Sequence, residues 1–195
     1  MTQDTPKGRP LDAELTARVL AAVRADLDEF GFMNLRIEKI AADLGCGKTA
    51  IYRRWPTKPA LAAAAILDGF ALGEMPDTGD LVDDLVAHAW QNVDNVRGSR
   101  THGNGLLLAM FDMDVMPLIS EAFMQKRHAM GRAILARGVD RGELRSDLDH
   151  DVILDTLAGF TLFTLTQRAD DPPRSDAEML RTYRSLVRAL VGRST

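Results

Sequence analysis

The sequence predicts an all-α protein of about nine helices. Three observations lead there. Apolar residues return at spacings of three and four along every long segment. No run alternates apolar with polar residues, and no Asn-Gly or Asp-Gly pair marks a hairpin. Gly31, Gly45, Pro56, Pro76, Gly79 and Gly98 fall between the periodic stretches, where they punctuate helices.

The first helix is read from Asp12 to Phe30, with Leu15, Val19, Val23, Leu27 and Phe30 on one face and Gly31 as its stop. The second runs from Ile37 to Leu44, with Ile37, Ile40, Ala41 and Leu44 inward. Gly45 ends it, at a place that favours a left-handed residue. The third spans Gly47 to Trp55, stopped by Pro56. Thr57 caps a fourth helix that runs to Gly73.

Pro76-Asp77-Thr78-Gly79 breaks the pattern. A fifth helix covers Asp80 to Val96, and a less regular sixth covers His102 to Asp112, with Gly103 and Gly105 obscuring its start. The seventh spans Pro117 to Asp140. The eighth spans His150 to Gln167, with Asp149 as its cap. Arg168 to Arg174 reads as a loop. Ser175-x-x-Glu178 is a capping box that opens the ninth helix, ending near Val191.

The balance of the 195 residues suits a globular protein. Apolar residues at 46% allow a sizeable core, and no run nears the roughly 20 residues of a membrane span. The first ten residues are polar, unlike a signal peptide, so a cytoplasmic protein is expected. The single cysteine, Cys46, excludes an internal disulfide and reads as a small buried residue. Residues 1–60 carry 10 Lys and Arg against 8 Asp and Glu, a balance of +2. The remainder carries 14 against 20, a balance of −6. A basic head on an acidic body suits a polyanionic partner.

Arg36 to Lys58 is the informative stretch. A long helix precedes two short ones joined by Gly45-Cys46-Gly47, the layout of a helix-turn-helix whose second short helix enters the major groove of DNA. At 100° per residue, Lys48, Thr49, Tyr52 and Arg53 share an arc of roughly 140°. Ala50 and Ile51 point the other way. Two cations and two hydroxyls on one face suit phosphates and base edges, although a solvated polar face has the same composition. Gly47-Lys48-Thr49 looks like the end of a P-loop, but Ala42 stands where the first glycine belongs. Gly45-x-Gly47-x-x-Ala50 looks like a dinucleotide fingerprint. Neither motif is fed by a strand, and both are set aside.

These residues carry a family resemblance. Lys7-Gly8-Arg9-Pro10, Phe30-Gly31-Phe32, Leu35 to Ala41 and Leu44 to Lys58 resemble the start of the TetR (tetracycline-repressor-like) regulators. The match is specific over residues 7 to 65. Beyond that only the layout agrees, apart from the phrase Arg141-Gly142-Glu143-Leu144-Arg145. The resemblance implies a DNA-binding head over residues 1–57, with a flexible arm over 1–10, and a ligand-binding and dimerising body over 58–195. It implies a homodimer on a double-stranded operator, released by a small-molecule effector. Tyr52 and Lys58 match phosphate contacts, and Lys48, Thr49 and Arg53 match groove-facing positions. Three departures stand out. Gly47 replaces a usual serine, Arg36 replaces a usual threonine or serine and offers a phosphate contact of its own, and Thr49-Ala50 reverses the common order.

The body supplies two further sets of candidates. Trp90, Met110, Phe111, Met113, Phe123, Met124 and Phe160 are candidate linings of an adaptable pocket for an apolar effector, with core packing as the plainer role of each. The eighth helix is apolar on all sides, so a second subunit is expected to cover part of it. Leu157, Phe160, Tyr183, Leu186 and Leu190 are the candidate interface. His88, His102, His128 and His150 share no i, i+3 or i, i+4 spacing, so no metal site is expected. No cofactor and no catalytic residues are indicated, and no Gly-x-Ser-x-Gly elbow is present. A helix-turn-helix protein governed by protein partners, and more remotely a helical enzyme, remain as alternatives.

Overall fold

The computed structural model describes residues 13–98, 105–167 and 174–192. The expected arm at Lys7 to Pro10, the helix start at Asp12, His102, Gly103 and the loop over residues 168–173 lie outside them. Helices are the only regular elements among the described residues, in the order α1 (Ala13–Phe30), α2 (Ile37–Asp43), α3 (Lys48–Tyr52), α4 (Lys58–Leu67), α5 (Leu81–Gly98) and α6 (Gly105–Met110). There follow α7 (Met116–Ile119), a π-helical segment (Ser120–Met124), α8 (Gln125–Asp140), α9 (His150–Gln167) and α10 (Asp176–Val191).

The expected starts are held by the expected caps. Thr57 Oγ1 accepts from the Ala60 amide at 3.2 Å. Asp149 accepts from the amides of Asp151 and Val152 at 2.9 and 3.3 Å. Ser175 and Glu178 close a reciprocal capping box. Residues 116–140 form one run, as periodicity predicts, but the run widens to π-helix over Ser120–Met124.

Two helices end earlier than their patterns imply. Arg54 and Trp55 both donate their amides to the Ile51 carbonyl, tightening the chain into a turn after Tyr52. Pro56 disfavours a helical residue before it, so α3 closes three residues short of Trp55. Helix α4 stops at Leu67, six residues before Gly73. There Arg24 of α1 reaches the terminal carbonyls of Ala65 and Ile66 at 3.4 and 3.5 Å. Its other Nη donates to the Gly98 carbonyl at the end of α5 at 3.1 Å.

Two apolar cores result. One joins α1–α4 with α6 and α7 through Val23, Leu27, Ile51, Leu61, Leu106 and Ile119. The other joins α5, α8, α9 and α10 around Leu85, Ile134, Leu157 and Tyr183. Cys46 is half-buried against the first. The first core crosses the expected boundary at residue 57, because α4 packs on α1, α6 packs on both, and α7 packs on α4. No helix among the described residues is long and apolar enough to cross a membrane.

Candidate nucleic-acid interface and effector cavity

The α2–α3 turn is built on Gly45. Its φ of +63° places it in the left-handed region, which spares an L side chain the steric cost. The Gly45 amide then reaches the Ala42 carbonyl at 3.0 Å and the Cys46 amide reaches Ala41 at 2.9 Å. Those two bonds are a Schellman closure, satisfying carbonyls that the end of α2 would leave open. Ile51 is buried beneath α3 and Ala50 is half-buried, which turns Lys48, Thr49, Tyr52 and Arg53 to the exterior.

The exposed side chains are not equivalent. Lys48 Nζ pairs with Glu38 Oε1 of α2 at 3.1 Å. The Glu38 carboxyl is held below its usual range by a backbone hydrogen bond and by Lys48. Lys58 Nζ donates to the Met33 carbonyl at 3.0 Å and lies 5.0 Å from the centre of the Phe32 ring. The guanidinium of Arg53 makes no hydrogen bond or ion pair among the described residues. Arg36, a candidate phosphate contact, is tied down within the head. Its backbone amide and Nη2 donate to the Asp26 carboxylate at 2.9 and 2.7 Å, and its guanidinium stacks 3.7 Å over Phe30.

A cavity of about 210 Å³ lies among α5, α6, the π-helical segment, α8 and α9. Met110, Phe111, Phe123 and Met124 line it, as four of the seven candidates. Trp90, Met113 and Phe160 do not. Trp90 and Phe160 stand edge-on to Tyr183, in the second core. Met113 is 79% exposed on the connection between α6 and α7. Phe111 and Met124 are also exposed, so the apolar lining continues to the surface.

The interface candidates separate too. Leu157 and Tyr183 are enclosed within the subunit. The Tyr183 hydroxyl donates to Thr161 Oγ1 at 2.6 Å. An apolar stripe supplies both core and surface residues, and periodicity alone does not assign them. Phe160, Leu186 and Leu190 are half-buried, while Val152 at 58% and Phe163 at 55% exposure present the free apolar face of α9.

Residues 19–65 match the bacterial regulatory proteins of the tetR family, and residues 75–190 match the tetracyclin repressor-like C-terminal domain. The chain belongs to the TetR family. It is a DNA-binding transcriptional regulator. Among its relatives is the HTH-type transcriptional regulator YdeS of Bacillus subtilis (strain 168), 30% identical over 176 residues, 85% of each chain. AqdR of Rhodococcus erythropolis, another HTH-type regulator, is 29% identical over 84% of this chain and 80% of its own. The solved TetR-family regulator SCO0332 is 29% identical with a TM-score of 0.53, over 91% of this chain and 97% of its own. B. subtilis FadR, solved in complex with stearoyl-CoA, shares the fold at 16% identity with a TM-score of 0.69, over 91% and 98%.

In this TetR-family chain, sequence reasoning missed the residues that join head to body. Arg24 ties α1 to the ends of α4 and α5. Gly105 opens α6 against the last turn of α1, where an added Cβ would stand 2.4 Å from the Leu27 carbonyl oxygen. Leu107 and Met110 of the same short helix line the cavity. One signal was available. Asp26 and Asp28 flank Leu27 on the inward stripe of α1, and an acidic residue at a buried position needs a partner.

Proposed function

We propose that the protein is a homodimeric repressor that grips a near-palindromic operator through paired α3 helices and releases it when an apolar effector fills the cavity. The observation that carries this reading is the double role of α6. One of its faces lines the cavity and its N-terminus abuts α1, whose partners α2 and α3 carry the reading face. A ligand that favours another placement of α6 shifts the head by its differential affinity for the two placements. FadR, solved with a bound acyl-CoA, supports a ligand in this layout.

The DNA-contacting set is Lys48, Thr49, Tyr52, Arg53 and Lys58, on a head over residues 1–57 joined to a body over 58–195. Dimerisation uses α9 and α10, with Val152, Phe163 and Leu180 added to the half-buried Phe160, Leu186 and Leu190. The protein works in the cytoplasm. The test is a screen of small apolar compounds scored twice, by melting temperature and by operator affinity. Compounds that bind in the cavity should lower operator affinity. Cavity binders that leave operator affinity unchanged contradict the reading.

A further inference from the structure

The cavity wall holds a buried cation with no counter-ion among the described residues. Arg127 of α8 is 3% exposed, yet no carboxylate among the described residues lies within ion-pair distance of it. Its partners are neutral. Nε donates to Asn92 Oδ1 at 3.2 Å, and Nη1 donates to the Leu72 carbonyl at 2.8 Å and to Gln91 Oε1 at 2.6 Å. Nη2 donates to the His88 carbonyl at 2.6 Å. A guanidinium has five N–H groups, so one on Nη2 is left over. Burial alone pulls the Arg127 pKa down, to about 10, which leaves it charged at neutral pH. A buried charge held only by neutral acceptors lacks the Coulombic partner that offsets desolvation.

The surroundings define what would supply that partner. Asn92 lines the cavity beside Arg127, and no described residue accepts from its Nδ2. Together they offer two donors to one planar anion. The other polar wall groups are occupied: Asn95 bonds both the amide and the carbonyl of Ala71, and the Thr161 hydroxyl bonds Leu157 and Tyr183. His128 stands 3.3 Å from Asp155. One available cation suits a monoanion better than a doubly charged phosphate. The rest of the wall is apolar, and about 210 Å³ falls below the roughly 300–1,000 Å³ of pockets for drug-sized ligands, so the ligand is compact.

We propose that the effector is a compact amphipathic carboxylate, its charge paired with Arg127 and Asn92 and its apolar body lying among Met110, Phe111, Phe123 and Leu162. This deepens the effector reading above and rests on it. Changing charge at constant apolar length separates the two. Calorimetric titration of the full-length protein at pH 7.5 uses octanoate, 1-octanol and octylamine. Octanoate should bind at least tenfold more tightly than octanol, and octylamine more weakly than either. Arg127→Met should bring octanoate to the level of octanol, and Arg127→Lys should keep most of the preference. Should Arg127→Met fail to fold, the wild-type series and Arg127→Lys still decide. Octanol binding as tightly as octanoate overturns the anionic inference and leaves an apolar effector standing. Binding by none of the three overturns the inference outright, while the wider screen judges the effector reading by itself.

Discussion

Gly105 and Leu27 meet backbone to backbone: a Cβ on Gly105 would stand 2.4 Å from the Leu27 carbonyl oxygen and 2.5 Å from that of Asp28. Both neighbours are main chain, so neither yields as a flexible side chain would. Gly105→Ala therefore forces α6 and α1 apart. Overpacking of this kind costs about 1–3 kcal/mol, against a gain of about 0.4–1 kcal/mol from the stiffer unfolded chain. The variant should melt lower, and its operator affinity should fall before any effector is added. Unchanged operator affinity in a folded variant would show that α6 does not govern the head.

On the reading face, the free guanidinium of Arg53 and the folded-back ammonium of Lys58 should differ in kind. Arg53→Ala should cost roughly 1–3 kcal/mol on the cognate site and relax preference at one base pair, as loss of a bidentate guanine contact does. Lys58→Ala should weaken all sequences alike and lower the salt slope by about one per subunit. Tyr52→Ala should weaken binding with the salt slope nearly unchanged, because its hydroxyl carries no charge. Isotherms on operator and scrambled DNA at several salt concentrations check all three.

Arg36 should behave as a clamp within the head. Its amide and guanidinium both end on Asp26, which is buried. Asp26→Ala leaves that amide without its acceptor, at a cost of about 1–3 kcal/mol in stability. Arg36→Ala should destabilise less, since its side chain is partly exposed, and should leave the salt slope of DNA binding unchanged. A slope lowered by a full unit per subunit would make Arg36 a phosphate contact after all.

Two aromatic-to-acid substitutions separate interface from core. Phe163→Glu, on the exposed face of α9, should give a folded monomer by sedimentation. Tyr183→Glu, in the second core, should unfold the subunit instead. A dimeric Phe163→Glu protein would remove that face from the interface.

His88 gives a pH signature. Burial, with the charges of Arg127 and His128 nearby, pushes its pKa down from 6.5 to about 3. Its Nδ1 has no hydrogen-bond partner among the described residues. The unfolded chain takes up the proton first as pH falls, so stability is whole above pH 6.5 and is lost progressively toward pH 3. The slope is about 1.4 kcal/mol per unit. Between pH 7 and pH 5 the wild type should lose about 2 kcal/mol more than His88→Gln by urea denaturation. Parallel curves would mean that His88 titrates normally.

The head was more legible than the body for a physical reason. Its function sits on one short helix, where 100° per residue separates Lys48, Thr49, Tyr52 and Arg53 from buried Ile51. The caps at Thr57, Asp149 and Ser175 were local and readable. Helix ends set by distant partners were not, as Arg24 at the end of α4 shows. The cavity was half legible. Met110, Phe111, Phe123 and Met124 line it, and Arg127 follows Phe123 one turn later in the same helical run, but Phe70 arrives from the connection after α4 and Leu162 from α9, and no sequence spacing links those two to the rest. Trp90 and Tyr183 share an apolar stripe with surface residues and differ only in what packs against them.

Selection of bound DNA from a random pool, followed by footprinting of the recovered site, tests the central claim most directly. Two identical α3 helices on a two-fold dimer predict a dyad-symmetric sequence with half-sites about one helical turn apart, on the order of 34–36 Å. A single asymmetric half-site, or no enrichment above the starting pool, would contradict it.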